Sequence, residues 1–178
     1  DSATYVVTGS NRENVIGKLM DKAGDLTFFN RSYKNGTFRD QAHRLAADIV
    51  KAIGGNPVFD QKIAFTVNTA TDKNEIYIAD FDGHDAKKVT NDGSMVRGLT
   101  WGPENRSLLY CSYRKGFPDI YYHDLSTGKR KVVANYTGLN TSPAVSPDGK
   151  KVAMILSKHG SPDLYVANID GSDLKRLT

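Results

Sequence analysis

Three sixteen-residue segments of this chain are versions of one phrase set 44 residues apart: EIYIADFDGHDAKKVT (75–90), DIYYHDLSTGKRKVVA (119–134) and DLYVANIDGSDLKRLT (163–178). Between the second and third copies the match runs without a gap. LTWGPENRSLLYCSYRKGFPD (99–119) lies over PAVSPDGKKVAMILSKHGSPD (143–163), so Pro103 meets Pro147, Glu104 meets Asp148, Gly116 meets Gly160, and Pro118-Asp119 meets Pro162-Asp163. The first copy, beginning KIAFTVNTATDKNEIYIAD, carries one extra residue in its Asn/Thr/Asp-rich turn. A fixed period in this range demands a repeat architecture, in which each unit buries its apolar face against the next.

Each copy reads as four short strands. In the third they fall at about 142–145, 151–157, 163–169 and 174–178. KVAMILS is an almost unbroken apolar run, which predicts burial on both faces. Leu164, Tyr165, Val166 and Ile169 are residue types that favour strands. SPDG (146–149) places Pro second in a turn and Gly where a positive φ is wanted, and Asp-Gly at 82–83 and 170–171 suits a tight hairpin. Four antiparallel strands per 40–45 residues make the blade of a β-propeller. The first blade has three strands here, about 62–67, 75–81 and 86–90.

Residues 1–60 follow another pattern. ATYVVTGS, ENVIGKLMD and DLTFFNRSY read as strands, and TFRDQAHRLAADIVKAIGG as a helix. Thr37 with Asp40 forms a variant capping box, and Gly54-Gly55 ends the helix. Phe38, Ala42, Leu45, Ala46, Ile49 and Ile53 fall on one helical face. The fold class is therefore mainly β: a partial propeller over 61–178, preceded by a small α/β, ββαβ-like remnant over 1–60, with NPVFDQ (56–61) as the junction.

Composition narrows the function. A 39% hydrophobic share with 25% charged residues describes a folded chain, and no run of 18 apolar residues is present to span a bilayer. The opening DSATYVVTGS lacks the basic and apolar regions of a signal peptide, as expected if the sequence starts inside a domain. Cys111, the single cysteine, can form no internal disulfide, and LLYCSY marks it as a small buried hydrophobe. The sequons at Asn30, Asn35, Asn105, Asn135 and Asn140 carry no compartment information. The net charge of +4 could suit a polyanion. However, Lys87-Lys88, Lys129-Arg130-Lys131 and Lys175-Arg176 occupy the outermost strand of each blade, where cations discourage edge pairing, and no aromatic stacking platform accompanies them.

The sequence offers no active site. DFDGHD (80–85) opens like a calcium loop but lacks the glutamate at its twelfth position, and its counterparts in the other copies are hairpin turns. Ser146 sits in a β-turn, without the flanking glycines of a nucleophile elbow. His43, His84, His123 and His159 show no metal-ligand spacing, with His43 placed on the helix's polar flank. No phosphate-binding glycine loop occurs, and no cofactor is expected.

The junction IVKAIGGNPVFDQKIAFTV, the recurring SPDGKKVA and the segment DLYVANIDGSDLKRLT together resemble the TolB family of the Tol–Pal cell-envelope system. The resemblance implies a small α/β domain followed by a six-bladed propeller, whose first blade receives its innermost strand from the C-terminal end. It implies a non-catalytic periplasmic protein, peripheral to the membrane at most, that docks the peptidoglycan-associated lipoprotein and other Tol or envelope proteins, with no nucleic acid. Partners would engage the face formed by 91–98 and 135–142 with 68–74, 114–118 and 158–162. The family motif H-N-G-x-P-A stands here as Leu139-Asn140-Thr141-Ser142-Pro143-Ala144, with leucine in place of histidine. Leu139, Asn140, Thr141 and Ser142, with Met95, Arg97, Arg114 and His159 of the neighbouring loops, are the candidate contacts. Two other classes remain open. One is the propeller of a prolyl-oligopeptidase-like serine peptidase, marked by a G-x-S-x-G motif outside this chain. The other is a polyanion binder, marked by steep salt dependence.

Overall fold

The computed structural model describes residues 4–59 and 61–178. The beginning of the first expected strand, at Ala3, and the expected domain boundary, at Asp60, lie outside the described residues. The chain forms two compact units: Asp1–Ile63 with the turn Asp80–Asp85, and Ala64–Ala79 with Ala86–Thr178.

In the first unit, β1 (Tyr5–Ser10), β2 (Val15–Asp21) and β3 (Thr27–Tyr33) form an antiparallel sheet in that order, followed by α1 (Phe38–Ala52). All three strands precede the helix, so the order is βββα and the ββαβ expectation is corrected. The pleat puts Val15, Gly17 and Leu19 on one face with Phe29 and Tyr33, and α1 packs there. A Cβ on Gly17 would lie 2.2 Å from Leu45 Cδ1, so the lack of a side chain sets the helix-to-sheet distance.

The capping box forms as expected. The Asp40 N–H donates to Thr37 Oγ1, and the Thr37 N–H donates to Asp40 Oδ2 at 2.8 Å. The apolar stripe is covered only in its middle. Phe38 and Ile53 stay exposed, and the most buried helical side chain is Gln41, because its Oε1 accepts from the Val15 N–H at 2.7 Å and satisfies that buried donor. His43 also departs from expectation. It is half-buried, with its ring 5.3 Å from Phe81, instead of lying on a polar flank.

The Asp80–Asp85 turn is a hairpin, as its sequence counterparts imply. The Asp80 N–H donates to His84 O at 2.9 Å, and Gly83 has φ +85. Its carboxylates already hold protein cations: Asp80 pairs with Lys62, and Asp82 with Arg39. The Lys62 bond holds Asp80 below the ordinary carboxylate range. The His84 backbone bond, helped by Arg39, does the same for Asp82.

The second unit contains the repeats. The chain adds β4 (Lys62–Ala70), β5 (Lys73–Asp80) and β6 (Lys87–Lys88); then β7 (Val96–Trp101), β8 (Ser107–Ser112), β9 (Asp119–Asp124) and β10 (Arg130–Ala134); then β11 (Asn140–Val145), β12 (Lys151–Leu156), β13 (Asp163–Asn168) and β14 (Lys175–Arg176). Each set is one antiparallel sheet in sequence order, three-stranded for the first and four-stranded for the others. These are the blades of a partial propeller.

Two cores lie between the blades. One joins Ile76 to Val96, Leu108, Tyr110 and Tyr121; the other joins Leu109, Ile120 and Val133 to Val152, Met154, Leu156 and Tyr165. Every residue of β8 is buried, since it faces a neighbouring blade on each side. In β12 only Val152, Met154 and Leu156 are buried, while Ala153 and Ile155 remain half-exposed. Burial on both faces therefore holds for the middle blade, and on one face for the third. Fully burying an aliphatic side chain contributes about 1.5–3 kcal/mol, so these cores dominate blade cohesion.

The outer-edge cations Lys87, Lys88, Lys129, Lys131, Lys175 and Arg176 are exposed, as the edge reading requires. Arg130 is the exception. Its side chain turns inward, and Nη1 donates to Asp92 Oδ2 at 2.5 Å.

Cys111 is 1% exposed, in β8 between Tyr110 and Ser112. Burial pushes its thiol up to about 11, against a smaller opposing effect of the hydrogen bond to Thr141. The thiolate is the reactive form, so native Cys111 is expected to resist a bulky maleimide at neutral pH and to react fully in denaturant. Mass spectrometry after timed labelling checks this, and rapid native labelling would remove Cys111 from the core.

Candidate protein-binding face

Antiparallel pairing brings five loops to one end of the blades. The turn at 71–72, the hairpin loops 113–118 and 157–162, and the crossing loops 91–95 and 135–139 all adjoin the starts of β7 and β11. The crossing loops run from one blade's outer strand to the next blade's inner strand, so their backbone groups need side-chain partners.

Buried carboxylate and amide groups supply them in the first crossing loop. Glu75, 2% exposed, accepts from Thr90 Oγ1 at 2.6 Å, from the Gly93 N–H at 2.7 Å and from the Asp92 N–H at 3.1 Å. Burial pushes this carboxyl up, but the three hydrogen bonds outweigh it and hold Glu75 below its ordinary value. Asn74 pairs with Val96 as a strand would: the Val96 N–H donates to Oδ1 at 2.5 Å, and Nδ2 donates to Val96 O at 3.0 Å. Asp92, held by Arg130, also lies 3.7 Å from the Arg114 guanidinium, whose carbon stands 5.7 Å from the Tyr121 ring centroid.

In the second crossing loop Asn140 does equivalent work. It is 1% exposed, accepts from the Tyr136 N–H at 2.9 Å, and donates to Tyr136 O at 2.7 Å and Gly138 O at 3.3 Å. Its amide is thus used inside the loop, and it shapes the face without offering a free group. The Leu139 N–H donates to Ser157 Oγ at 2.7 Å, anchoring the same loop to its neighbour.

The inner strands carry matching irregularities. Pairing slips between Arg97 and Thr100 in β7, and between Thr141 and Ala144 in β11. These bulges fall on Gly98 (φ +59) and Ser142 (φ +52), which occupy the same repeat position. A Cβ on Gly98 would lie 3.1 Å from both Ser142 Cα and Pro143 Cδ, so the two bulges abut. A non-glycine residue in the left-handed region costs about 1–2 kcal/mol, and Ser142 carries that conformation while exposed.

The expected contacts therefore divide. Arg97, Thr141 and Ser142 come together on adjacent inner strands, with Met95 just before the first of them. Arg97 Nε donates to Met95 Sδ at 2.9 Å, and both line a depression of about 320 Å³ with Thr71, Asp72 and Asn74. Thr141 is half-buried, bonded to Cys111. Arg114 and exposed His159 lie in the hairpin loops at the same end. Sequence reasoning passed over Phe117, 75% exposed in loop 113–118, and Lys158, whose Nζ lies 4.4 Å from the Tyr136 ring centroid. The available signal for Phe117 was an aromatic between Gly116 and Pro118, in a hairpin loop that no core pattern uses.

Serine and histidine chemistry is absorbed locally. Ser146 Oγ donates to Asp148 at 2.6 Å and accepts from the Lys151 N–H at 2.9 Å, and His123 is buried with Nδ1 3.2 Å from the Tyr110 hydroxyl. Among the described residues no group of three or more His, Cys, Asp or Glu is placed to hold a metal ion.

The TolB beta propeller domain family matches residues 50–178. The chain belongs to the TolB family. The TolB relative from Alcanivorax borkumensis, named Tol-Pal system protein TolB, is 32% identical over 168 residues, covering 88% of this chain and 39% of that protein. The crystal structure of TolB from Acinetobacter baumannii superimposes with a TM-score of 0.86 at 31% identity, covering 98% of this chain and 47% of that one. This TolB-family chain thus spans about two-fifths of the curated relative's length. Puromycin hydrolase aligns with a TM-score of 0.53 at 16% identity, over 66% of this chain and 20% of its own. That likeness extends to the propeller fold alone.

Proposed function

We propose that this chain is part of a non-catalytic docking protein of the Tol–Pal cell-envelope system, acting in the periplasm. Residues 1–60 are the C-terminal part of a small α/β domain. Residues 61–178 are the first three blades of a six-bladed propeller, whose first blade takes its innermost strand from the C-terminal end of the whole protein. The face built by 91–98 and 135–142 docks the peptidoglycan-associated lipoprotein, and other Tol or envelope proteins bind the same assembly.

The observation that carries this reading is the pair of abutting bulges at Gly98 and Ser142. They present backbone behind almost no side chain, on loops stiffened by buried Glu75 and Asn140 and half-buried Asn74. A rigid, small-residue surface lets a partner approach closely without the entropic cost of ordering the loops. Family membership supports the choice of system. The peptidase alternative has only fold-level support.

Calorimetry with the full-length protein and the soluble domain of a peptidoglycan-associated lipoprotein tests the proposal. Saturable binding with one site per molecule is expected. Absence of binding at partner concentrations around 1 mM, weaker than about −4 kcal/mol, would overturn it.

A further inference from the structure

We infer that the partner offers this face an acidic surface with an apolar pocket, and that Phe117 is the side chain that fills the pocket. The inference rests on the docking reading for its choice of face, and adds the chemistry of what docks.

The two ends of the second and third blades differ in charge. At the docking end stand Arg97, Arg114, Lys115 and Lys158, with His159 beside them. Of the acids at this end, Asp92 is engaged by Arg130 at 2.5 Å and Arg114 at 3.7 Å, and Asp163 pairs with Arg176 at 2.8 Å. Asp119 is buried and accepts from the Tyr121 hydroxyl at 3.1 Å, and Asp72 is exposed. At the opposite end the signs are matched: Glu104, Asp124, Asp148, Asp170 and Asp173 stand with Arg106, Lys129, Lys150, Lys151 and Lys175. Glu104 lies 3.6 Å from Arg106, and Asp173 lies 3.9 Å from Lys151 and 3.5 Å from Lys175. Among exposed side chains the docking end thus carries Arg97, Arg114 and Lys115 against Asp72, while the two signs balance at the other end, so an acidic partner is steered toward the docking end.

The cations are also pre-positioned. Arg114 stands 5.7 Å from the Tyr121 ring centroid, and Lys158 lies 4.4 Å from that of Tyr136 and 5.8 Å from that of Tyr165. A long side chain already held over a ring loses less freedom when it pairs with a carboxylate. Phe117 completes the pattern. At 75% it is the most exposed large apolar side chain of the described residues, flanked by Gly116 (φ +89) and Pro118. A lone exposed aliphatic is ordinary, but an aromatic on a proline-stiffened tip, amid several cations, has the makeup of an interface anchor. An acidic protein surface suits it better than a lipid headgroup layer, because the cations sit on several separate loops at fixed places.

The test uses the full-length protein and four variants: Phe117→Ser, Lys115→Glu, Lys158→Glu and, at the opposite end, Lys150→Glu. Each is titrated with the lipoprotein's soluble domain, with a random copolymer of glutamate and tyrosine, and with vesicles of phosphatidylethanolamine and phosphatidylglycerol. All four sites are at the surface, and thermal melts confirm equal folding. Phe117→Ser is expected to weaken lipoprotein and copolymer binding by about tenfold or more. Lys115→Glu and Lys158→Glu should weaken both and flatten the salt dependence, while Lys150→Glu should leave both unchanged. Lipoprotein binding by the parent with none of these losses overturns the inference and leaves the docking reading standing. Copolymer binding through Phe117 without lipoprotein binding does the reverse. Phe117-dependent binding to vesicles alone, or no binding to any probe, overturns the inference.

Discussion

Replacing Glu75 by alanine should lower the unfolding free energy by about 2–4 kcal/mol at neutral pH. The substitution leaves two backbone N–H groups and the Thr90 hydroxyl without their acceptor in a buried site, and orphaned buried donors cost about 1–3 kcal/mol each before relaxation. Thr90 is itself linked to the sheet, accepting from the Ile76 N–H at 2.9 Å, so the loss reaches the core between the first two blades. Urea denaturation of the chain and its variant measures the effect, and a difference below about 0.5 kcal/mol would show that the 91–95 loop does not depend on this carboxylate. The pH dependence has a definite sign. Glu75 is held below its ordinary value when folded, so its contribution is complete above the unfolded carboxylate's value of about 4.3 and is lost as pH falls through the folded value. The alanine variant should therefore show a shallower loss of stability on acidification.

Replacing Ser142 by tryptophan should reduce lipoprotein binding by the full-length protein below detection. Ser142 is exposed on the inner-strand bulge and abuts the Gly98 bulge, so an indole there covers the small-residue surface of the two bulges together. Ser142 already occupies the left-handed region at φ +52, and glycine there relieves strain without adding bulk; Ser142→Gly should bind normally. Asn140→Ala should also weaken binding, through the loop it shapes, since it removes three hydrogen bonds within 136–140. Charge reversal at exposed Lys129, just before β10, or at exposed Lys175 in β14 should change little beyond a modest salt-dependent term. Calorimetry across this set decides the location. Normal binding by Ser142→Trp, together with loss on reversing the edge lysines, would move the partner to the blade rims.

The sequence by itself determined the repeat and most features that arise from local chemistry. A 44-residue period punctuated by Pro, Asp and Gly specifies hairpins, and hairpins of alternating or fully apolar strands specify blades. The capping box at Thr37, the turns at Asp82-Gly83 and Asp170-Gly171, and the core position of Cys111 were legible because each depends on residues close in sequence or on simple strand patterning. The tertiary structure decided what depends on neighbours far along the chain. Gln41 became the helix's buried residue because a β2 backbone donor lay above it, which helical periodicity cannot register. Arg130, whose repeat counterparts are Ala86 and Leu174, turned inward because the fold brings Asp92, 38 residues away, to its guanidinium. Asn140 carries the family motif, yet only the loop's closure showed its amide to be committed to backbone groups. Phe117 is exposed because its hairpin projects past the blade, and only packing separates an apolar residue that reaches the core from one that does not.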